Sequence, residues 1–214
     1  MSIEQIVAGC VVQIESIHTA RERTIAATRV LVRQSANSIR AAHRGDFVTA
    51  RHLLALAAEV VAEINDATAG APEVRYAGYT QDALKEYAEA HLVIAFLAGE
   101  EPPTGEMIGV EPAAYLNGLA EAASELRRAI LDGLRHGEIE RSEGLLTIMD
   151  DVYSSLLTVD YPEAITGGLR RSTDALRTVL ERTRGDVTAA IRQEQLTAAM
   201  RALEARLNDK LGAA

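Results

Sequence analysis

The chain has 214 residues, 48% of them apolar, and a formal net charge of −9. Its single cysteine, Cys10, excludes an intramolecular disulfide and a cysteine-based zinc site. No apolar run approaches the roughly 20 residues that cross a bilayer, and the opening residues "MSIEQIVAGCVVQIES" lack a basic start and a small-residue cleavage site. A cytoplasmic, reducing setting with no membrane association is expected. Trp is absent and only two Phe are present, so the core must be aliphatic. Ala, Leu, Glu and Arg dominate, the residues that lose least on entering a helix. The expected fold is all-α, as one domain over residues 1–214.

The first predicted helix covers about 3–43. Ile3, Ile6, Cys10, Ile14 and Ile17 begin an apolar stripe that Ile25, Leu31 and Ile39 continue. About 40 residues make a rod of roughly 60 Å, longer than a compact chain of this size needs, which points to a bundle that assembles. Gly45 ends this helix and Asp46 caps the next, to about 66. Thr80 is placed as the cap of a helix over about 80–99 that Gly99 stops. Pro112 opens a helix over about 112–136, ended by Gly137. A fifth helix runs over about 138–159. Asp160 is read as the cap of a sixth that continues to 184, where Gly185 stops it. Asp186 then caps a last helix over about 187–209. The pattern predicts seven helices in an elongated bundle.

Charge is unevenly spread along these elements. Residues 1–52 hold seven Arg against four acids, whereas residues 53–125 hold thirteen acids against Arg75 and Lys85. Arg supplies 20 of the 22 basic residues, and its planar fork suits phosphate or carboxylate. In "DALKEYAEAHLV", Glu86 and Glu89 are three residues apart and share one helix face, with Asp82 a turn earlier. In "YLNGLAEAASELRR", Glu121 and Glu125 share another face, and Arg128 continues it. Antiparallel packing of these two helices would gather four carboxylates, which repel strongly in a low-dielectric groove. A divalent cation would relieve that repulsion, and carboxylate oxygens suit Mg²⁺ and Mn²⁺. Solvated surface acids and salt bridges to the Arg-rich first helix are the competing readings at this point. Glu15 and His18 have Glu-x-x-His spacing, but a di-iron bundle needs that motif twice. His43 and His52 lie near Arg40, Arg44 and Arg51, as a phosphate-facing cluster or a solvated helix end. His91 and Cys10 read as packed residues. No Gly-x-x-x-x-Gly-Lys loop and no Gly-x-Ser-x-Gly elbow occurs.

The segment "GVEPAAYLNGLAEAASELRRAILDGLRHGEIERSEGLLTIMDDVYSSL" resembles the translin family, which includes translin and translin-associated factor X. The likeness extends through "DYPEAITGGLRRSTDALRTVLERTRGDVT" and the first-helix stretch "RERTIAATRVLVRQSANSIRAAHRGDF", and it is strongest from Gly109 to Thr188. It implies a translin-type all-α fold, assembly into a hollow shell of up to eight subunits, and binding of single-stranded RNA or DNA. Factor-X members are metal-dependent endoribonucleases whose acids lie in "QEYxEA" and "DxxGE" segments. Glu86 and Glu89 in "KEYAEA" match the first pair, and Glu121 and Glu125 in "AEAASE" match the second. Glu121 stands where the family usually has Asp, one methylene shorter. The resemblance therefore implies a factor-X-like enzyme in which these four residues hold Mg²⁺ or Mn²⁺ and carry the hydrolysis. RNA would be brought in by Arg21, Arg29, Arg33, Arg40 and Arg44 on the first helix, with Arg127 and Arg128 beside the acids. Two alternatives stay open here: a non-catalytic shell that only binds single strands, and an all-α nucleotide pyrophosphohydrolase, which also pairs acids on adjacent helices. A structural bundle with merely superficial acids is a third.

Overall fold

The computed structural model describes residues 2–212. Its elements are α1 (Ile3–His43), α2 (Phe47–Thr68), α3 (Pro72–Arg75), α4 (Gly78–Ala98), α5 (Gly105–Ile108), α6 (Pro112–Arg135), α7 (Ile139–Leu156), α8 (Glu163–Thr166) and α9 (Leu169–Gly212). Among the described residues there is no strand, and no helix is long and apolar enough to cross a membrane. The expected all-α architecture is the one observed, with nine helices among the described residues rather than seven.

The five long helices before α9 begin and end where their caps lie. Asp46 accepts a hydrogen bond from Thr49 N at 3.0 Å, Pro112 occupies the first turn of α6, and Gly99 closes α4 in the left-handed conformation. Two expected signals act differently. Thr80 lies inside α4, fully buried, and its hydroxyl donates to the Val74 carbonyl at 2.7 Å, tying α3 to α4. Gly185 does not stop a helix: α9 runs through it without a break, and Gly185 has no positive φ. Thr183 and Val187 on either side of it are buried, and that packing offsets the roughly 1 kcal/mol a helical glycine costs. Asp186 is consequently no cap and pairs with Arg127 at 2.8 Å. Nor does Asp160 open a helix. Pro162 is the N-cap of α8, and Gly167 and Gly168, both at positive φ, turn the chain into α9. The four-residue helices α3 and α5 lie between the predicted helices, being too short to show a periodicity, whereas α8 and the start of α9 take the place of the single helix expected over 160–184.

The core is aliphatic, as the composition requires. Leu31, Ile64, Leu84, Leu92, Leu126, Ile130, Met149, Leu176 and Leu180 are fully buried in one continuous cluster. Small residues dominate here: Ala83 and Ala88 on α4 and Ala122 and Ala123 on α6 are buried, with Ala88 directly against Gly118 of α6. The closest approach is at Gly118, where a Cβ would lie 2.7 Å from the Lys85 carbonyl oxygen and 3.0 Å from Ala88 Cβ. Gln81 and Asp82 share a groove with Ala113, Ala114 and Asn117, and further along Lys85 reaches Glu121. These two helices therefore run in the same direction, not antiparallel. A 21-residue helix rises roughly 30 Å, and the 13 residues from 99 to 111 can span about 40 Å, enough to carry the chain back to the starting end.

α1 and α9 extend beyond this core. Ile3, Ile6, Val7, Val11, Val12 and Ile14 of α1 are exposed, and Thr24 is its first buried residue. Leu196, Met200, Leu203 and Leu207 of α9 are likewise exposed at alternating spacings of four and three.

Candidate metal centre

α4 carries Glu86 and Glu89, and α6, packed tightly against it at Gly118, carries Glu121 and Glu125. All four are partly buried, so a freely solvated acidic surface does not describe them. One carboxylate oxygen from each of Glu86, Glu89 and Glu121 lies within 4.8 Å of the other two. These three side chains could hold a metal ion. Burial pushes the Glu89 carboxyl up to about 8, and the neighbouring Glu86, Glu121 and Glu125 reinforce the shift. Burial raises Glu86 as well, against the pull of Lys85.

Glu125 is set apart from this trio. His43, at the end of α1 and only 2% exposed, places Nε2 2.9 Å from Glu125 Oε1. A carboxylate can only accept, so Nε2 carries the proton. That hydrogen bond holds the Glu125 carboxyl below its ordinary value although burial opposes it, and Arg128 helps. The cluster thus combines carboxyls that resist ionisation with one that is fixed in the ionised form, a pattern associated with functional sites. Replacing His43 by Ala leaves Glu125 without its donor and is expected to destabilise the fold by about 2 kcal/mol. Urea unfolding reads this effect, and His43→Gln, which keeps a donor, should recover part of it. Equal stability of all three proteins would show that the hydrogen bond holds nothing.

A cation of the chain itself already enters the cluster. Lys85 Nζ lies 2.7 Å from Glu121 Oε1 and 3.9 Å from Glu86 Oε1. Burial works against the ammonium, but Glu121, Glu86 and Asp82 outweigh it and raise its pKa. Asp82 is exposed at the edge of the site.

The arginines fall into three groups. Arg29 lines a groove of about 330 Å³ with Thr28, Tyr79, Asp82 and Glu86. Arg128 is exposed and lines one of about 520 Å³ with Ser124, Glu125 and Asp132. The acids are thus flanked by two grooves that each carry an Arg. Arg127 is spent on Thr183 Oγ1 at 3.0 Å and Asp186 at 2.8 Å, bracing α6 to α9. Arg21, Arg33, Arg40 and Arg44 are exposed along α1, Arg21 paired with Glu22 and Arg40 with Asn37.

Sequence reasoning placed His43 in an arginine cluster and did not find its bond to Glu125. The two residues are 82 positions apart, and no local pattern links them. Lys85 carried a signal, since it lies one turn before Glu89 on the acidic face. Glu15 and His18 are exposed on the protruding part of α1, as is Cys10. His91 packs edge-on against Tyr87 at 4.6 Å, and burial lowers its pKa to about 4, so it is neutral near pH 7.

No protein-family model matches the chain. An uncharacterized protein of Methanocaldococcus jannaschii is 28% identical over 180 residues, 83% of this chain and 79% of that protein. The structure is similar to that of AfC3PO in complex with duplex RNA, at 32% identity and a TM-score of 0.81, over 87% of this chain and 97% of that one. AfC3PO alone gives 31% identity and a TM-score of 0.80 over the same shares. NeC3PO in its apo form shares the fold at 17% identity and a TM-score of 0.77, over 86% of this chain and 96% of that one. With the fold, most of the chain and nearly all of AfC3PO in correspondence, this chain belongs to the translin family, as a member of the C3PO or translin-associated factor X type.

Proposed function

We propose that the protein is a metal-dependent endoribonuclease that binds and hydrolyses single-stranded RNA within an oligomeric shell. The observation that carries this reading is the meeting of Glu86, Glu89 and Glu121, with oxygens mutually within 4.8 Å and Glu89 pushed up to about 8. Three carboxylates from two packed helices are the all-oxygen donor set that Mg²⁺ or Mn²⁺ would take. Bound Mg²⁺ or Mn²⁺ would lower the pKa of an attacking water and offset charge on the phosphate.

The chain's own groups do the rest. Glu86, Glu89 and Glu121 hold the ion. His43 fixes Glu125 through Oε1, leaving Oε2 to orient the water and take its proton. The water oxygen bonds to phosphorus, the bond to one ribose oxygen breaks, and the proton ends on that ribose oxygen. Arg29 and Arg128, in the grooves on either side, steer the phosphates past the acids. Arg21, Arg33, Arg40 and Arg44 extend the basic track along α1, and Arg127 keeps α6 and α9 in register. Binding through phosphates is salt-dependent and largely sequence-neutral. The complex of AfC3PO with duplex RNA supports RNA as the ligand. The exposed apolar stripes of α1 and α9 support assembly, up to the octamer the family resemblance implies.

End-labelled RNA tests the reading, in single-stranded and duplex form, with Mg²⁺ and with chelator. Metal-dependent internal cutting of the single strand, lost in Glu86→Gln/Glu121→Gln, is expected. Salt-sensitive binding without any cutting would leave a binding-only shell, and hydrolysis of free nucleoside triphosphates in place of RNA would leave a nucleotide pyrophosphohydrolase.

A further inference from the structure

Metal sites for phosphoryl transfer often hold two ions about 3.5–4 Å apart that share carboxylates. In this cluster a positive charge already stands between two of the carboxylates: Lys85 Nζ lies 2.7 Å from Glu121 Oε1 and 3.9 Å from Glu86 Oε1. Its side chain is only 20% exposed, so the ammonium is committed to the cluster and not extended into water. Its backbone is fixed as well, because Gly118 of α6 packs directly on the Lys85 carbonyl.

We infer that Lys85 is the resident second cation of this centre, so that the site takes one divalent ion per chain where the carboxylates alone would take two. The inference rests on the metal-ion reading above and adds its stoichiometry and the identity of the second positive charge. Glu89 and the remaining oxygens of Glu86 and Glu121 are left for the one ion. A second ion would face the ammonium at close range as well as compete for Glu121, and like charges this near repel strongly in a partly buried site. An ammonium has three N–H donors. One reaches Glu121, and a donor left over is available to a non-bridging phosphate oxygen, where charge builds during hydrolysis.

Counting bound Mn²⁺ by electron paramagnetic resonance and calorimetry tests this on the full chain, without recourse to activity. Ions belonging to the centre are those lost in Glu89→Gln. The wild type and Lys85→Arg, which keeps the charge, are expected to bind one Mn²⁺ per chain. Lys85→Gln is expected to bind two, the second within tenfold of the affinity of the first. Two ions in the wild type would overturn the inference even if Lys85→Gln failed to fold. One ion in a folded Lys85→Gln variant, checked by circular dichroism, would overturn it too. If neither wild type nor Lys85→Gln binds Mn²⁺, the metal-ion reading itself falls, an outcome distinct from a wrong count.

Discussion

Replacing Glu89 by Gln is expected to stabilise the metal-free protein at pH 8 while abolishing its response to Mg²⁺. Burial and the neighbouring carboxylates raise the Glu89 carboxyl from its ordinary value of 4.5 to about 8. Folding therefore takes up a proton between those values. The corresponding stability is fully present below pH 4.5 and is lost as pH rises to about 8, where the curve flattens. Gln carries no proton to lose, so the variant and the wild type should agree near pH 5. They should differ at pH 8 to 9 by on the order of 3 kcal/mol, discounted for partial solvent access. Glu86 shifts in the same direction and steepens the slope. Glu125 has the opposite sign: its lowered pKa contributes stability above 4.5 that disappears in acid.

On the proposed metal-ion reading, Mg²⁺ is expected to reverse this balance in the wild type. Binding requires ionised Glu89, so it should release about one proton per ion near neutral pH, read as a dependence of calorimetric heat on the buffer. The melting temperature gained with Mg²⁺ should grow from pH 6 to 9, then level off. RNA cleavage by Glu89→Gln should fall by about 10²-fold or more. A wild-type stability that stays flat from pH 6 to 9 and ignores Mg²⁺ would remove the physical basis of the metal centre.

Local chemistry accounts for what could be read before the fold was in hand. Asp46, Gly99 and Pro112 each act on their own turn, and the bounds of α2, α4 and α6 follow. The pairing of Glu86 with Glu89 and of Glu121 with Glu125 follows from helical periodicity alone. What was misread depends on distant partners. Gly185 and Asp186 look like a stop and a start, but buried Thr183 and Val187 and the reach of Arg127 keep α9 unbroken. Whether α4 and α6 run parallel depends on where the 99–111 connection returns, which periodicity does not report. The bond between His43 and Glu125 joins residues 82 positions apart. Lys85 sat in plain view one turn before Glu89, yet its partner Glu121 lies on another helix, and only the tight crossing with α6 brings the two together.

That crossing supports the second large prediction, at a residue that touches no ligand. Gly118→Ala should cost about 2–3 kcal/mol and weaken Mg²⁺ binding at least tenfold. An added Cβ would lie 2.7 Å from the Lys85 carbonyl oxygen and 3.1 Å from Glu89 N. Both are backbone atoms within α4, so no side chain can rotate to make room. α4 must move as a unit, and it carries Glu86 and Glu89 away from Glu121. Gly144→Ala is the matched control, since its Cβ would meet nothing within 4 Å. There the better helix propensity of Ala should yield a gain of up to about 1 kcal/mol with Mg²⁺ affinity unchanged. Opposite signs for two identical substitutions, each inside a helix, would separate close packing from propensity as the force that assembles the centre. If Gly118→Ala instead binds Mg²⁺ like the wild type, the meeting of the three carboxylates does not depend on the contact between α4 and α6.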